Sequence, residues 1–422
     1  MDEKKTLHEN SPRPFRRAEL ICALLLYPAA YIYIVVFGSH HDRLWFGVFV
    51  LLFIAITELL NRGRPHPKES WVWLGCMVLM SACVTFGWGR VWDYGLTMVL
   101  IHPLAVWWLL SRSGALLEGE SGHLLPLDAI NGFIRIPFGN FFLRLRCLWQ
   151  GLLRRNRDRG NSRGSRWAGL LAVAAALVLL GWAATSLTQA DEGFERLTLD
   201  VLRLFRFDWG GNVDTYIFRF IASIPVGAWL FGLMAGSARL EQDRLRTQAE
   251  AVNGFLPRLR LVPNRVWTVC MAAFAGLYLL FFVVQFRYLF GAFTRSLPEG
   301  FIISQYAREG FFELCRVMGI NFSLLYLVSR SGAKPIREDK VQRIFCTLLL
   351  AAGMVFAVIA LSKLGLYISC FGFTPKRLQS CWLALVLFAG CVACLVSIWS
   401  RKKSFRAWMM FAAISLTLLH LY

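Results

Sequence analysis

Ser304-Gln305-Tyr306-Ala307-Arg308-Glu309-Gly310-Phe311-Phe312-Glu313-Leu314-Cys315-Arg316 opens a run that carries no further charge until Arg330. Behind the two acids and two bases at its head, the run 308–329 is apolar enough to cross a bilayer, whose hydrocarbon takes about 20 residues of helix. A charge inside such a segment costs roughly 3 kcal/mol on insertion scales and more in simulations, so it is seldom incidental. This one stretch therefore states the fold class and marks the first place to look for function.

Comparable runs recur at 18–37, 44–60, 71–88, 91–110, 167–187, 213–236, 265–290, 344–366, 376–399 and 407–421, eleven in all with 308–329. Of 422 residues 57% are hydrophobic and 17% charged, whereas soluble domains carry about a quarter charged. The short alternating strands of a transmembrane barrel are missing from the pattern. The expectation is an all-α, polytopic transmembrane helical bundle of about eleven spans. The first run exceeds the apolar part of a secretory signal and lacks a small-residue cleavage site, so it reads as a retained span.

The net charge is +20, and its distribution speaks for a membrane rather than nucleic acid. Lys and Arg sit in the short connections, 33 in one alternate set (the N-terminus, 61–70, 111–166, 237–265, 330–343 and 400–406) against 8 in the other. Positive residues accumulate on the cytoplasmic side, so the N-terminus is expected inside and the C-terminus outside. The chain then divides into a cytoplasmic N-terminal tail (1–17), spans one to four (18–110), a basic cytoplasmic connection (111–166) and spans five to eleven (167–422). Expected partners are the bilayer, anionic lipid head groups on the cytoplasmic side, and either a small solute or another membrane protein.

Within the basic connection, Ile130, Phe133, Ile134, Pro137, Phe138, Phe141, Phe142, Leu145, Leu148, Trp149 and Leu152 follow the helical period, with Arg135, Arg146, Arg154 and Arg155 off the stripe or beyond it. That pattern predicts an amphipathic helix in the inner headgroup plane, bent at Pro137. A sequence echo also occurs: Ser111-Arg112-Ser113-Gly114-Ala115 is repeated as Ser329-Arg330-Ser331-Gly332-Ala333, and Asn131-Gly132-Phe133 as Asn253-Gly254-Phe255. Duplication and independent helix-end chemistry both account for it.

With the orientation assigned, ionisable residues cluster toward the outer leaflet: Asp93, Arg219, Arg287, Arg308, Glu309, Glu313, Arg316 and Lys363. Glu309, Glu313 and Arg316 share one helical face, with Tyr306 a turn above, and Glu313 or Glu309 is placed to pair with Lys363 or Arg287. Tyr367 follows Lys363 by one turn. Interhelical ion pairs that fix helix packing and an outward-facing polar pocket both fit this pattern.

Two motifs carry a resemblance. Tyr306-Ala307-Arg308-x-Gly310-Phe311-Phe312-Glu313-Leu314 and Leu364-x-x-Tyr367-x-x-x-Phe371-Gly372-x-Thr374-Pro375-x-Arg377-Leu378 resemble the C-terminal signature of a bacterial membrane family catalogued only as a domain of unknown function. The resemblance implies a bacterial cytoplasmic-membrane protein and brings no activity and no site residues. Histidines 40, 41, 66, 102 and 123 lack metal-ligand spacing, Cys391-x-x-Cys394 sits in mid-span without completing ligands, and no phosphate-cradling Gly-rich loop or Gly-x-Ser-x-Gly elbow is present. No cofactor is expected. Three functions remain: transporter-like recognition of a small polar or charged solute, a non-catalytic scaffold or sensor assembling with envelope proteins, and, last, an envelope-modifying enzyme using Glu309 or Glu313 as base. Broken helices at Gly310 and His102-Pro103 would favour the first.

Overall fold

The computed structural model describes residues 14–38, 43–88, 94–157, 213–284, 303–400 and 404–421. In chain order these form α1 (Arg17–Gly38), α2 (Arg43–Leu60), α3 (Lys68–Phe86), α4 (Tyr94–Ser113), α5 (Leu125–Ile130), a π-helical turn (Asn131–Arg135), α6 (Ile136–Gly139) and α7 (Leu143–Arg157). There follow α8 (Val213–Arg239), α9 (Gln242–Phe255) with a 3-10 turn (Leu256–Leu259), α10 (Asn264–Val284), α11 (Ile303–Ser331), α12 (Lys340–Phe371), α13 (Pro375–Ser400) and α14 (Phe405–Leu421). Among the described residues nine helices, α1–α4, α8 and α10–α13, are long and apolar enough to cross a membrane, and α14 is a shorter apolar helix. Ten of the eleven expected runs are therefore helices, and the other, 167–187, lies outside the described residues. The chain is an all-α polytopic bundle.

The helices fall into two compact units. One contains α1, α2 from Leu51 onward, and α6 to α8. Small residues set its spacing. A Cβ at Gly232 would stand 2.6 Å from the Pro137 carbonyl oxygen, and one at Gly151 would stand 2.5 Å from Leu20 Cδ1. Substitution at Gly232 would push helices apart, since backbone cannot yield, whereas at Gly151 the neighbour is the flexible end of the Leu20 side chain and must shift.

The second unit holds α3 to α5, the π turn and α9 to α14. Its axis is α12, packed among α10, α11 and α13. Phe356 anchors that contact, edge-on to Tyr278 at 5.3 Å between centroids and stacked on Phe282 at 4.8 Å. On α11 the buried face reads Phe311, Leu314, Met318, Asn321, Leu325 and Val328, a helical spacing that turns Phe312, Ile320 and Leu327 outward. Asn321 Nδ2 donates to Leu349 O at 2.7 Å, satisfying a polar group in the apolar contact. At the base of α12, Asp339 caps the helix by accepting from Val341 N (3.0 Å) and Gln342 N (3.3 Å), and it also accepts from Asn264 Nδ2 at 2.9 Å.

Three local expectations are corrected. The basic connection does not bend at Pro137: the break falls at 140–142, between α6 and α7. The π turn immediately before Pro137 widens the backbone where the ring would otherwise meet a carbonyl one turn back. Secondly, neither Gly310 nor His102-Pro103 breaks its helix; α11 and α4 run through them. His102 Nδ1 lies 2.7 Å from Met98 O, so the imidazole serves the loosened turn of its own helix. Thirdly, α12 continues to Phe371, five residues past 366, which sets Lys363 about one and a half turns further from the helix end than expected.

The repeated pentapeptide closes its two helices differently. After α4, Gly114 takes φ 66° while Ala115 N donates to Leu110 O at 2.8 Å and Gly114 N to Ser111 O at 3.2 Å, a Schellman closure. After α11, Gly332 N keeps the helical bond to Val328 O, and Ala333 N instead donates to Val262 O at 2.9 Å.

Candidate functional site

Lys363 is completely buried on α12. It owes that position to Gly310 on α11, where an added Cβ would stand 2.5 Å from Nζ, 3.1 Å from Cδ and 3.3 Å from Cε. The lysine stem thus lies along the space left by a missing side chain. Glu313, one turn beyond Gly310 on the same helix, is exposed and supplies an attractive charge to the ammonium. A buried base with its acid at the boundary is the geometry at the centre of the site.

The other expected residues divide. Arg316 points outward from α11, away from Lys363's buried side. Of Tyr306, Arg308 and Glu309 only the helical backbone is described, while Asp93 and Arg287 lie outside the described residues. Arg219 is half-buried on α8, in the other compact unit. Tyr367 belongs to a different arrangement: its ring meets Phe371 edge-on at 5.2 Å between centroids and carries the Arg377 guanidinium 4.0 Å above it. Arg377 Nη1 in turn donates to Phe371 O at 2.9 Å and to Gly372 O. With Gly372 at φ 77° and Pro375 opening α13, the Tyr-x-x-x-Phe-Gly-x-Thr-Pro-x-Arg motif is a clasp between two helices.

A second polar constellation, at the basic ends of the spans, was not anticipated. Glu69 in the first turn of α3 is 3% exposed. Its carboxylate accepts from Trp73 Nε1 (2.9 Å), Ser121 N (3.1 Å) and Ser121 Oγ, and it forms an ion pair with Arg406 Nε at 3.2 Å. Ser121 Oγ also accepts from Trp107 Nε1 at 2.8 Å, and Arg406 is shared with Glu120. One carboxylate therefore ties α3, α4, the following loop and α14 together. The clue in the sequence was the Glu69/Trp73 spacing of one helical turn, which a helix start placed at residue 71 concealed.

Next to it, Asp128 is 1% exposed, accepts from Leu117 N at 2.9 Å through Oδ1, and has no partner for Oδ2. Burial pushes its carboxyl up to about 6, the Leu117 N–H opposes this, and the charges of Glu118 and Glu69 add to it. Beyond these, Arg64 donates to Ser113 O (2.7 Å) and Ala238 O (2.6 Å), closing two further helix ends. Among the described residues no three His, Cys, Asp or Glu side chains converge as metal ligands.

These features define a multi-pass integral membrane protein with one wholly buried lysine in a span and a hydrogen-bonded floor at the basic ends. The chain belongs to the family described as a domain of unknown function (DUF4153), whose model matches residues 74–422. No curated protein and no solved structure matches it.

Proposed function

We propose that this protein recognises a small charged solute at Lys363 and Glu313, in the manner of a transporter, in the bacterial cytoplasmic membrane with its N-terminus inside. The observation that carries this reading is the unequal burial of the two residues: the ammonium is enclosed while its carboxylate partner is exposed. A pair serving only to lock two helices gains most when both groups are enclosed and mutually satisfied. Here the acid stands where a solute arrives, and the base stands where a desolvated anionic group binds most strongly. A solute bearing opposite charges a few ångströms apart matches the pair, with its anionic end on Lys363 and its cationic end on Glu313.

The packing of Lys363 on Gly310 supports a second reading, in which the pair fixes α11 on α12 and the exposed face around Glu313 and Arg316 meets another membrane protein as part of a scaffold or sensor. A thermal-shift screen of purified full-length protein against small zwitterions, anions and cations separates the two. Solute recognition predicts stabilisation by one charge class, lost in both Lys363→Met and Glu313→Gln. Stabilisation by none, with both variants merely less stable, supports the scaffold.

A further inference from the structure

In the unit built from α1, α6, α7 and α8, the glycines that face residues 136–151 fix how deep that segment goes. A Cβ at Gly236, near the end of α8, would meet Asn140 Nδ2 at 2.7 Å and Ile136 Cγ2 at 3.1 Å. One at Gly232 would meet the carbonyl oxygens of Pro137 at 2.6 Å and Asn140 at 3.0 Å, and one at Gly227 would meet the Arg144 guanidinium. Gly236 and Gly227 are nine residues apart, about 13 Å along the helix. The return limb follows α1. Arg144 Nε donates to Ala23 O at 3.2 Å, its guanidinium lies 3.8 Å from the Tyr27 ring centroid, and Gly151 faces Leu20 in the first turn of α1. Two membrane-length helices thus give the same answer. The segment goes in along α8, turns at 140–142 beside residues roughly 9–15 Å from the start of α1, and comes back.

Both the free face of the segment and its turn suit that depth. Phe138, Phe142, Leu145 and Trp149 are 58–65% exposed, whereas Ile136, Arg144 and Cys147 are buried. The outward residues of the flanking helices near this level, Ile21 and Leu24 on α1 and Ile221 and Ile224 on α8, are apolar as well. The turn closes on itself: Asn140 N donates to Ile136 O (3.1 Å), Phe141 N to Phe138 O (3.3 Å) and Leu143 N to Asn140 O (2.9 Å), and Asn140 Nδ2 also donates to Ile136 O at 2.9 Å. Hydrocarbon offers a backbone N–H no acceptor, so a turn placed there must supply its own. Arg144 keeps its charge on the protein side, against a carbonyl and a ring. Arg146, exposed on the return limb, is five residues from Gly151, about 7 Å, which its own stem spans to the head groups. Trp149 stands beside Gly151, at the level where indoles favour the membrane interface.

We infer that residues 136–151 are a re-entrant hairpin, which enters one leaflet at the basic ends of α1 and α8, returns to the same side, and presents Phe138, Phe142 and Leu145 to lipid acyl chains. The partner of this face is the fatty-acyl interior of that leaflet, about half of a ~30 Å hydrocarbon core. It is not the head-group plane that an amphipathic period by itself favours. A segment that turns back adds no crossing, so the basic connection 111–166 keeps its place in the alternation of Lys and Arg between the two sides. The hairpin is in a different unit from Lys363, and it stands or falls independently of the solute reading.

The test uses the wild-type full chain in phosphatidylcholine nanodiscs doped with a photoactivatable phospholipid, its diazirine placed either at the middle of an acyl chain or on the head group. Adducts are mapped to residues by mass spectrometry and scored relative to Ile221 and Ile224, which face outward from α8. Phe142 and Leu145 are expected to take the acyl-chain probe as strongly as those references and to lose the label with the head-group probe, whereas Trp149 takes the head-group probe. Hydroxyl-radical footprinting of the same discs is expected to leave Phe142 unmodified. Labelling of Phe142 mainly by the head-group probe, or its modification from water, puts the segment in the surface plane and overturns the inference. Acyl-chain adducts on Ile221 and Ile224 but on none of Phe138, Phe142 and Leu145 mean that the 167–187 run or a second copy covers the face, and overturn it equally.

Discussion

Lys363 and Gly310 are complementary across the contact of α11 with α12: the lysine is fully buried because residue 310 has no side chain, and a Cβ there would stand 2.5 Å from Nζ. Gly310→Ala should therefore destabilise the protein by about 1–3 kcal/mol, the usual range for overpacking. The loss should be smaller in a Lys363→Met background, where the ammonium no longer needs the space. Thermal unfolding of the four proteins in one detergent measures both effects.

The Glu69 carboxylate, accepting three hydrogen bonds and paired with Arg406 while 3% exposed, should be the most sensitive polar position at the basic ends of the spans. Glu69→Leu strands Trp73 Nε1 and the Ser121 N–H without an acceptor and should lower stability by about 3 kcal/mol. Glu120→Gln removes the more exposed partner of Arg406 and should change it by under ~1 kcal/mol. Membrane abundance and Tm of the two variants report the difference.

Asp128 makes a prediction in pH. Its folded carboxyl is raised to about 6 from 3.8, so the folded state holds a proton that the unfolded chain has released in that interval. The associated stability is complete below the unfolded value, falls as pH rises through about 6, and is then lost. Asp128→Asn should flatten this slope and raise Tm at pH 7.5, since the amide oxygen still accepts from Leu117 N and no charge is buried. A pH series of Tm on both proteins checks it.

Asp339 titrates in the opposite sense. The Asn264 amide, helped by the helix-start N–H groups of Gln342 and Val341, holds its carboxyl below the ordinary value. Stability from this cap is present above the unfolded value and is lost as pH falls through the folded one. Asp339→Ala should cost about 1 kcal/mol at neutral pH, and the deficit should shrink on acidification.

Much of this fold is written in hydropathy. Ten apolar runs became helices because a segment of that length and composition has few other ways to satisfy its backbone in lipid. Helix ends were less legible, since α3 and α12 begin and end in residues that hydropathy assigns to connections, and this hid Glu69 and misplaced the depth of Lys363. That Glu313 acts electrostatically on Lys363 was legible from charges isolated in apolar segments, whereas the role of Tyr367 was not. Its aromatic ring is spent on Arg377, and only the folded turn reveals that. The most misleading stretch was the one around Arg144. Its apolar stripe was correctly periodic and is exposed, but a stripe alone does not say that Arg144 is buried with Ile136 and Cys147 while Arg146 stays exposed.

Whether Lys363 and Glu313 act as a unit is most directly measured by a double-mutant cycle on unfolding stability with Lys363→Met and Glu313→Gln. The account predicts that Glu313→Gln is destabilising when Lys363 is present and close to neutral in Lys363→Met, a coupling of about 1 kcal/mol or more. Equal effects of Glu313→Gln in both backgrounds would contradict it.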